Sequence, residues 1–166
     1  SDRGLEGSAP ANLHPLLEFL QARHVDSPWA HEGVLSFPGS GDFNEQDRLT
    51  KKLDFSRLDG WLSRWPDARQ YFLYPARPPG SGFAGQPMGS ERFERRIAAW
   101  AEAFSAHVRS RGLKPSQFYL LVVDEPTRAL QCQTIAAWAK AMRRVAERPQ
   151  VWVTFYAAPT EPFFQE

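Results

Sequence analysis

The apolar residues of this chain switch repeatedly between strand-like runs and the three-to-four-residue spacing of helices, with a proline or glycine at most changeovers. That alternation restricts the fold more than any single residue does. Asn12 is placed to cap a first helix whose apolar positions are Leu13, Leu16, Leu17 and Leu20. Val34-Leu-Ser-Phe37 reads as a short strand stopped by Pro38-Gly39, and a polar stretch runs on to Lys52. A second helix starts with Ser56 as N-cap and Asp59 as its capping partner, buries a stripe of Leu58, Trp61, Leu62 and Trp65, and stops at Pro66-Asp67. The second strand, Gln70 to Tyr74, opens into a loop over 75–89, a length that marks a functional or mobile segment in a compact domain. Between Ser90 and Arg111, Phe93, Ile97, Ala101, Phe104 and Val108 recur at helical spacing, with Gly112 as the left-handed terminator and Leu113 and Pro115 beyond it. Phe118 to Val123 is the third strand. A helix from about Gln133 to Glu147 turns Ile135, Trp138, Ala139, Met142 and Val145 inward, Pro149 stops it, and Val151 to Phe155 is the fourth strand.

Strands alternating with helices predict a parallel sheet with right-handed crossovers. The loops after strands are long and chemically rich, whereas a helix-to-strand return such as Arg148-Pro149-Gln150 is short and plain. A TIM-type barrel has this asymmetry because its sites are built from the loops that follow its strands. Four strands make about half of such a barrel, which takes about 250 residues. The expected fold class is therefore α/β: parallel (β/α) units forming a partial TIM-type (β/α)8 barrel, with a smaller open sheet as the alternative. Residues 1–11 read as a flexible lead-in and 12–166 as a single (β/α) domain belonging to a larger barrel. A piece is preferred because the chain begins without Met and ends in Pro-Phe163-Phe164-Gln-Glu166, two phenylalanines with no following element to bury them.

Composition narrows the chemistry. With 166 residues, of which 42% are hydrophobic and 13% aromatic, the chain can bury a sizeable core. Lys plus Arg number 20 against 19 Asp plus Glu, so no basic field points to nucleic acid or to an acidic membrane surface. Cys132 is the single cysteine, which rules out an internal disulfide and a cysteine-based zinc cluster. His14, His24, His31 and His107 lack metal-motif spacing, and neither metal nor cofactor is expected. No run of about 18 apolar residues occurs that would span a bilayer. No signal-peptide pattern opens the chain, and low cysteine usage suits a secreted or periplasmic bacterial enzyme and a cytosolic protein alike, so the compartment stays open.

The chemistry concentrates in Phe118-Tyr-Leu-Leu-Val-Val-Asp124-Glu125-Pro126, a strand that delivers two adjacent carboxylates and is then stopped by proline. Val-Val-Asp124-Glu125-Pro126-Thr127-Arg-Ala-Leu130 resembles the Walker B strand and D-loop of ABC-type ATPases, a likeness of about ten residues that would make the chain a nucleotide hydrolase fragment. Phosphoryl transfer also needs a phosphate cradle, and no Gly-x-x-x-x-Gly-Lys-Ser/Thr occurs; Gly80-Ser-Gly-Phe-Ala-Gly85 lacks the lysine. The Ser-Gly-Gly signature and the switch histidine of such ATPases are missing as well.

From Val34 to Phe155, a strand ending in Asp-Glu-Pro, preceded by a Leu-Lys-Pro return and a long Trp-containing helix, resembles barrel glycoside hydrolases related to family 123 and the bacterial domains grouped with it. Asp54-Phe-Ser-Arg-Leu-Asp59-Gly-Trp-Leu is similar to a helix opening of those barrels. The resemblance implies an N-acetylhexosaminide as substrate and a substrate-assisted retaining mechanism, in which the 2-acetamido oxygen attacks the anomeric carbon. Glu125 would be the general acid/base, and Asp124 would orient and stabilise the acetamido group. The residues agree with that division: a neighbouring carboxylate at the end of an apolar strand supplies repulsion and partial desolvation, the two influences that keep an acid protonated. Consecutive strand residues point to opposite faces, so both acids reach one ligand only if the strand bends at its end.

A substrate without an acetamido group would need a second carboxylate from another strand end, and Glu161 is the candidate. Tyr74, Phe83 and Tyr156 lie at or after strand ends, where sugar-stacking platforms belong, and Asp42 follows the first strand. Each has a plainer reading as core or solvated loop, and Asp124 and Glu125 do too, as a helix cap or as partners of Arg128. Trp61, Trp65, Trp100 and Trp138 sit on helix stripes and belong to the core. The expected partner is carbohydrate, with the remainder of its own barrel as a further one. A non-catalytic carbohydrate-binding barrel is the second functional reading.

Overall fold

The computed structural model describes residues 10–154, so Tyr156 and Glu161 lie outside the described residues. Helix α1 spans Pro10–Gln21 and begins inside the stretch read as lead-in, which makes Asn12 a residue of its first turn and not its cap. Its apolar face is only partly used: Leu17 and Leu20 pack against the core, while Leu16 and Phe19 are exposed.

Strand β1 is Trp29–His31, not Val34–Phe37. Glu32–Val34 instead forms a 3-10 turn, after which Leu35 is buried and the Phe37 ring packs 4.9 Å from Trp100. The apolar run is therefore loop packing against the core, and the strand is the run that pairs in register with Phe72–Tyr74. Helix α2 covers Ser56–Leu62 with Phe55 at the N-cap position. The predicted capping box does not form: Asp54 Oδ1 accepts from the Ser56 N–H at 2.9 Å, and Asp59 pairs with His107 Nε2 at 2.8 Å. Leu58, Trp61, Leu62 and Trp65 are buried as their spacing predicts.

Strand β2, Tyr71–Tyr74, leads through the long loop to helix α3, Glu91–Ser110. Ser90 Oγ caps α3 by accepting from Phe93 N, Gly112 closes it at φ +78°, and Phe93, Ile97, Ala101, Phe104 and Val108 are all fully buried. Strand β3 is Phe118–Leu121 and strand β4 is Gln150–Trp152. Helix α4, Ala129–Met142, starts and stops earlier than predicted, and Val145 is buried from the turn beyond it.

Among the described residues the four strands are parallel, in the order β1-β2-β3-β4. Helices α2, α3 and α4 lie over one face: Trp61 meets Tyr71 and Phe104 meets Phe118 edge-on, and Trp138 packs against Trp100. Burial alternates accordingly: Tyr71, Leu73, Phe118 and Leu120 are buried, while Phe72, Tyr74 and Tyr119 are half-buried on the other face. There Trp29 stacks on Phe72 at 5.0 Å, Phe72 on Tyr119 at 5.2 Å, and Trp152 stands edge-on to Trp29 and Phe72. Trp29 nevertheless remains 48% exposed.

Two buried carboxylates tie the helical layer together. Asp47, in left-handed backbone at φ +57°, accepts hydrogen bonds from Arg92, Arg95 and Arg96 at 2.7–3.1 Å. Glu94 on α3 pairs with Lys140 and Arg144 near the end of α4, each at 2.6 Å.

Candidate functional site at the carboxyl edge of the sheet

Parallel strands present the ends of all their chains along one edge, and ligands of α/β sheets bind outside that edge. Here β1 contributes His31 and Glu32, β2 contributes Tyr74 and Arg77, β3 contributes Asp124 and Glu125, and Thr154 follows β4. The β3 chain stays buried through Val123, then emerges so that Asp124 and Glu125 are exposed and Pro126 turns back into the molecule. The bend that both acids require sits at Glu125 itself, whose φ is +44°. A glutamate in the left-handed region is uncommon and costs about 1–2 kcal/mol, a strain that clusters at functional positions.

Thr154 secures both acids from the neighbouring strand. Its hydroxyl donates to Asp124 Oδ1 at 2.7 Å and accepts from the Glu125 N–H at 3.1 Å. The Asp124 carboxylate is thereby oriented, whereas that of Glu125 has no hydrogen-bond or ion-pair partner among the described residues. Neither acid caps α4. Gln131 does so, its Oε1 accepting from the backbone N–H groups of Thr127 at 2.8 Å and Arg128 at 2.9 Å. Neither acid pairs with Arg128. Their exposure also means that the desolvation expected around them is not supplied by the described residues.

Tyr74 stands between the acids of β1 and β3. Burial first, then the charges of Asp124 and Glu32, push its phenol above the ordinary tyrosine value, so it remains a neutral hydrogen-bond donor across the neutral range. The His31 ring meets it edge-on at 5.3 Å. Glu32, His31, Arg77 and Thr154 escape the sequence reading because the first strand is misplaced there and because their role comes from sheet neighbours. The shift of polarity at Trp29-Ala-His31-Glu32 after Pro28 is the signal that points to β1.

Other sequence-predicted positions lie elsewhere. Phe83 is 2% exposed, edge-on to Trp138 at 5.5 Å and to Phe37 at 6.0 Å, and a ring so enclosed offers no face to a sugar. Asp42 closes its own loop: one carboxylate oxygen accepts from the Gly39 N–H and the other pairs with Lys51, both at 2.8 Å, and Lys51 leads the groups that hold its carboxyl below the usual range. The long loop is docked, with Gly80 N–H on Thr134 Oγ1 at 2.8 Å and Phe83 and Gln86 exchanging backbone hydrogen bonds at 2.9 and 3.0 Å. The backbone N–H groups of Gly80, Ser81 and Phe83 are thus already engaged.

No helix of the described residues is long and apolar enough to cross a membrane. The chain matches no protein-family model and no curated protein sequence.

Proposed function

We propose that the protein is a carbohydrate-active domain of the glycoside hydrolase type, acting on an N-acetylhexosaminide by substrate-assisted retention, with its sheet forming part of a (β/α)8 barrel. The observation that carries this reading is the pair Asp124 and Glu125: one carboxylate is held by Thr154, and the other, on strained backbone at the carboxyl edge, has no partner among the described residues. That asymmetry suits two different tasks. Asp124, fixed as an acceptor, orients the acetamido N–H so that the acetamido oxygen attacks the anomeric carbon. Glu125 protonates the departing glycosidic oxygen, then takes a proton from the water that opens the cyclic intermediate. Tyr74 adds a neutral donor beside them.

The barrel component rests on sheet order and on the aromatic layer of Trp29, Phe72, Tyr119 and Trp152, which suits the inward face of a barrel. Nucleotide hydrolysis is disfavoured because the loop over 80–85 lacks a lysine and the N–H groups of Gly80, Ser81 and Phe83 are bound within the protein. Assay of the full-length protein on chromogenic N-acetylhexosaminides tests the reading. Turnover that disappears in Glu125→Gln supports it, and saccharide binding without turnover makes the domain a non-catalytic carbohydrate binder instead.

A further inference from the structure

Arg77, just beyond β2, is distinguished by its missing partners. Elsewhere Arg92, Arg95 and Arg96 converge on Asp47, and Arg144 pairs with Glu94. The half-buried Arg77 guanidinium has no hydrogen-bond acceptor or ion-pair partner among the described residues, and its Nε is shielded from solvent. It lies over the Phe37 ring, 4.1 Å from the centroid, and its backbone N–H is anchored to the Val122 carbonyl at 3.1 Å. The residue is therefore held at the same edge as Asp124. Burial lowers its proton affinity and the charge of Glu32 opposes that effect from beyond ion-pair distance. In the same loop the Ser81 hydroxyl is also shielded and without a partner among the described residues.

A partly desolvated cation with a shielded, unpaired donor is costly and uncommon in native proteins, unless a ligand supplies the acceptor. A sugar hydroxyl would satisfy one N–H and leave the charge uncompensated. A carboxylate or sulfate matches the guanidinium fork with two oxygens and neutralises it. Glu32, Asp124 and Glu125 repel an anion from the rest of the edge, which confines such a group to Arg77 and sets the direction in which a saccharide lies. We propose, resting on the carbohydrate reading above, that Arg77 recognises the carboxylate or sulfate of an acidic sugar adjoining the N-acetylhexosamine, making an acidic heteropolysaccharide the substrate class.

Calorimetry on the full-length protein with chitotetraose, a hyaluronan tetrasaccharide and a sulfated chondroitin tetrasaccharide tests this. The acidic saccharides are expected to bind about tenfold tighter than chitotetraose, with a preference that added salt weakens. Equal affinity for the two acidic ligands assigns Arg77 to the carboxylate, and tighter binding of the chondroitin ligand assigns it to the sulfate. Arg77→Gln is expected to bring acidic ligands down to the neutral level while leaving chitotetraose unchanged, and Arg77→Lys to keep part of the preference. Equal binding of neutral and acidic ligands by the unsubstituted protein overturns the proposal whatever the variants do, as does a loss in Arg77→Gln shared by all ligands. Either result leaves the carbohydrate reading standing, whereas binding of none of the saccharides removes both.

Discussion

At the scale of single residues, the site depends on one backbone torsion and one hydroxyl. Glu125 occupies left-handed backbone that glycine adopts without a steric penalty, so Glu125→Gly is expected to raise stability by about 1 kcal/mol while abolishing turnover. Thermal unfolding beside the activity assay checks this, and a lower melting temperature contradicts the strain argument. Thr154→Val keeps the side-chain shape but removes the donor to Asp124 and the acceptor for Glu125 N–H. A fall of about tenfold in kcat is expected. Thr154→Ser, which keeps the hydroxyl, should restore most of it, whereas a merely structural threonine would give similar losses in both variants.

At the scale of elements, legibility followed how much of an element's energy is local. Helix α3 was plain in the sequence because its stripe, its serine cap and its terminal Gly112 all lie within one continuous segment. The β3 strand was plain because its apolar run ends in two acids and a proline. By contrast β1 has three residues of mixed polarity and exists through pairing with β2, while the more apolar Val34–Phe37 is drawn into loop packing. Helix α4 begins early because the Gln131 side chain caps it from inside, a device that a search for Ser, Thr, Asp or Asn before the helix does not find. The acids therefore stand out in the sequence, whereas Thr154, which holds them from beyond β4, does not. The length of the loop over 75–89 marks it as functional or mobile; it is docked, and it carries Arg77. A Cβ at Gly82 would overlap the Gln86 carbonyl oxygen, a backbone atom that cannot swing aside. Gly82→Ala should cost about 2 kcal/mol by displacing the turn, measurable by chemical denaturation, and a neutral result would show that this loop is not held as described.

At the scale of the whole molecule, two buried carboxylates give stability a defined acid limb. Hydrogen bonds from Arg92 first, together with Arg96 and Arg95, hold the Asp47 carboxyl far below the usual range, and Lys140 first, together with Arg144, lowers that of Glu94. Both folded values lie below the unfolded ones, so this stabilisation is complete above about pH 4–5 and declines as the pH falls toward the folded values. Asp47→Asn should destabilise the protein at neutral pH by about 3 kcal/mol and flatten its acid dependence, as followed by denaturation across pH. An unchanged acid limb would place the titrating groups elsewhere. These ties join the helices and the polar segment around Asp47, and with them the covered face of the sheet whose carboxyl edge carries the acids. The most direct test of Glu125 as general acid compares 2,4-dinitrophenyl and 4-nitrophenyl N-acetylhexosaminides on full-length Glu125→Gln. A loss of about 10²–10⁴-fold with the poorer leaving group, and a much smaller loss with the dinitrophenolate that departs unprotonated, is the predicted result. Equal losses on both, or full activity on the poorer one, would contradict it.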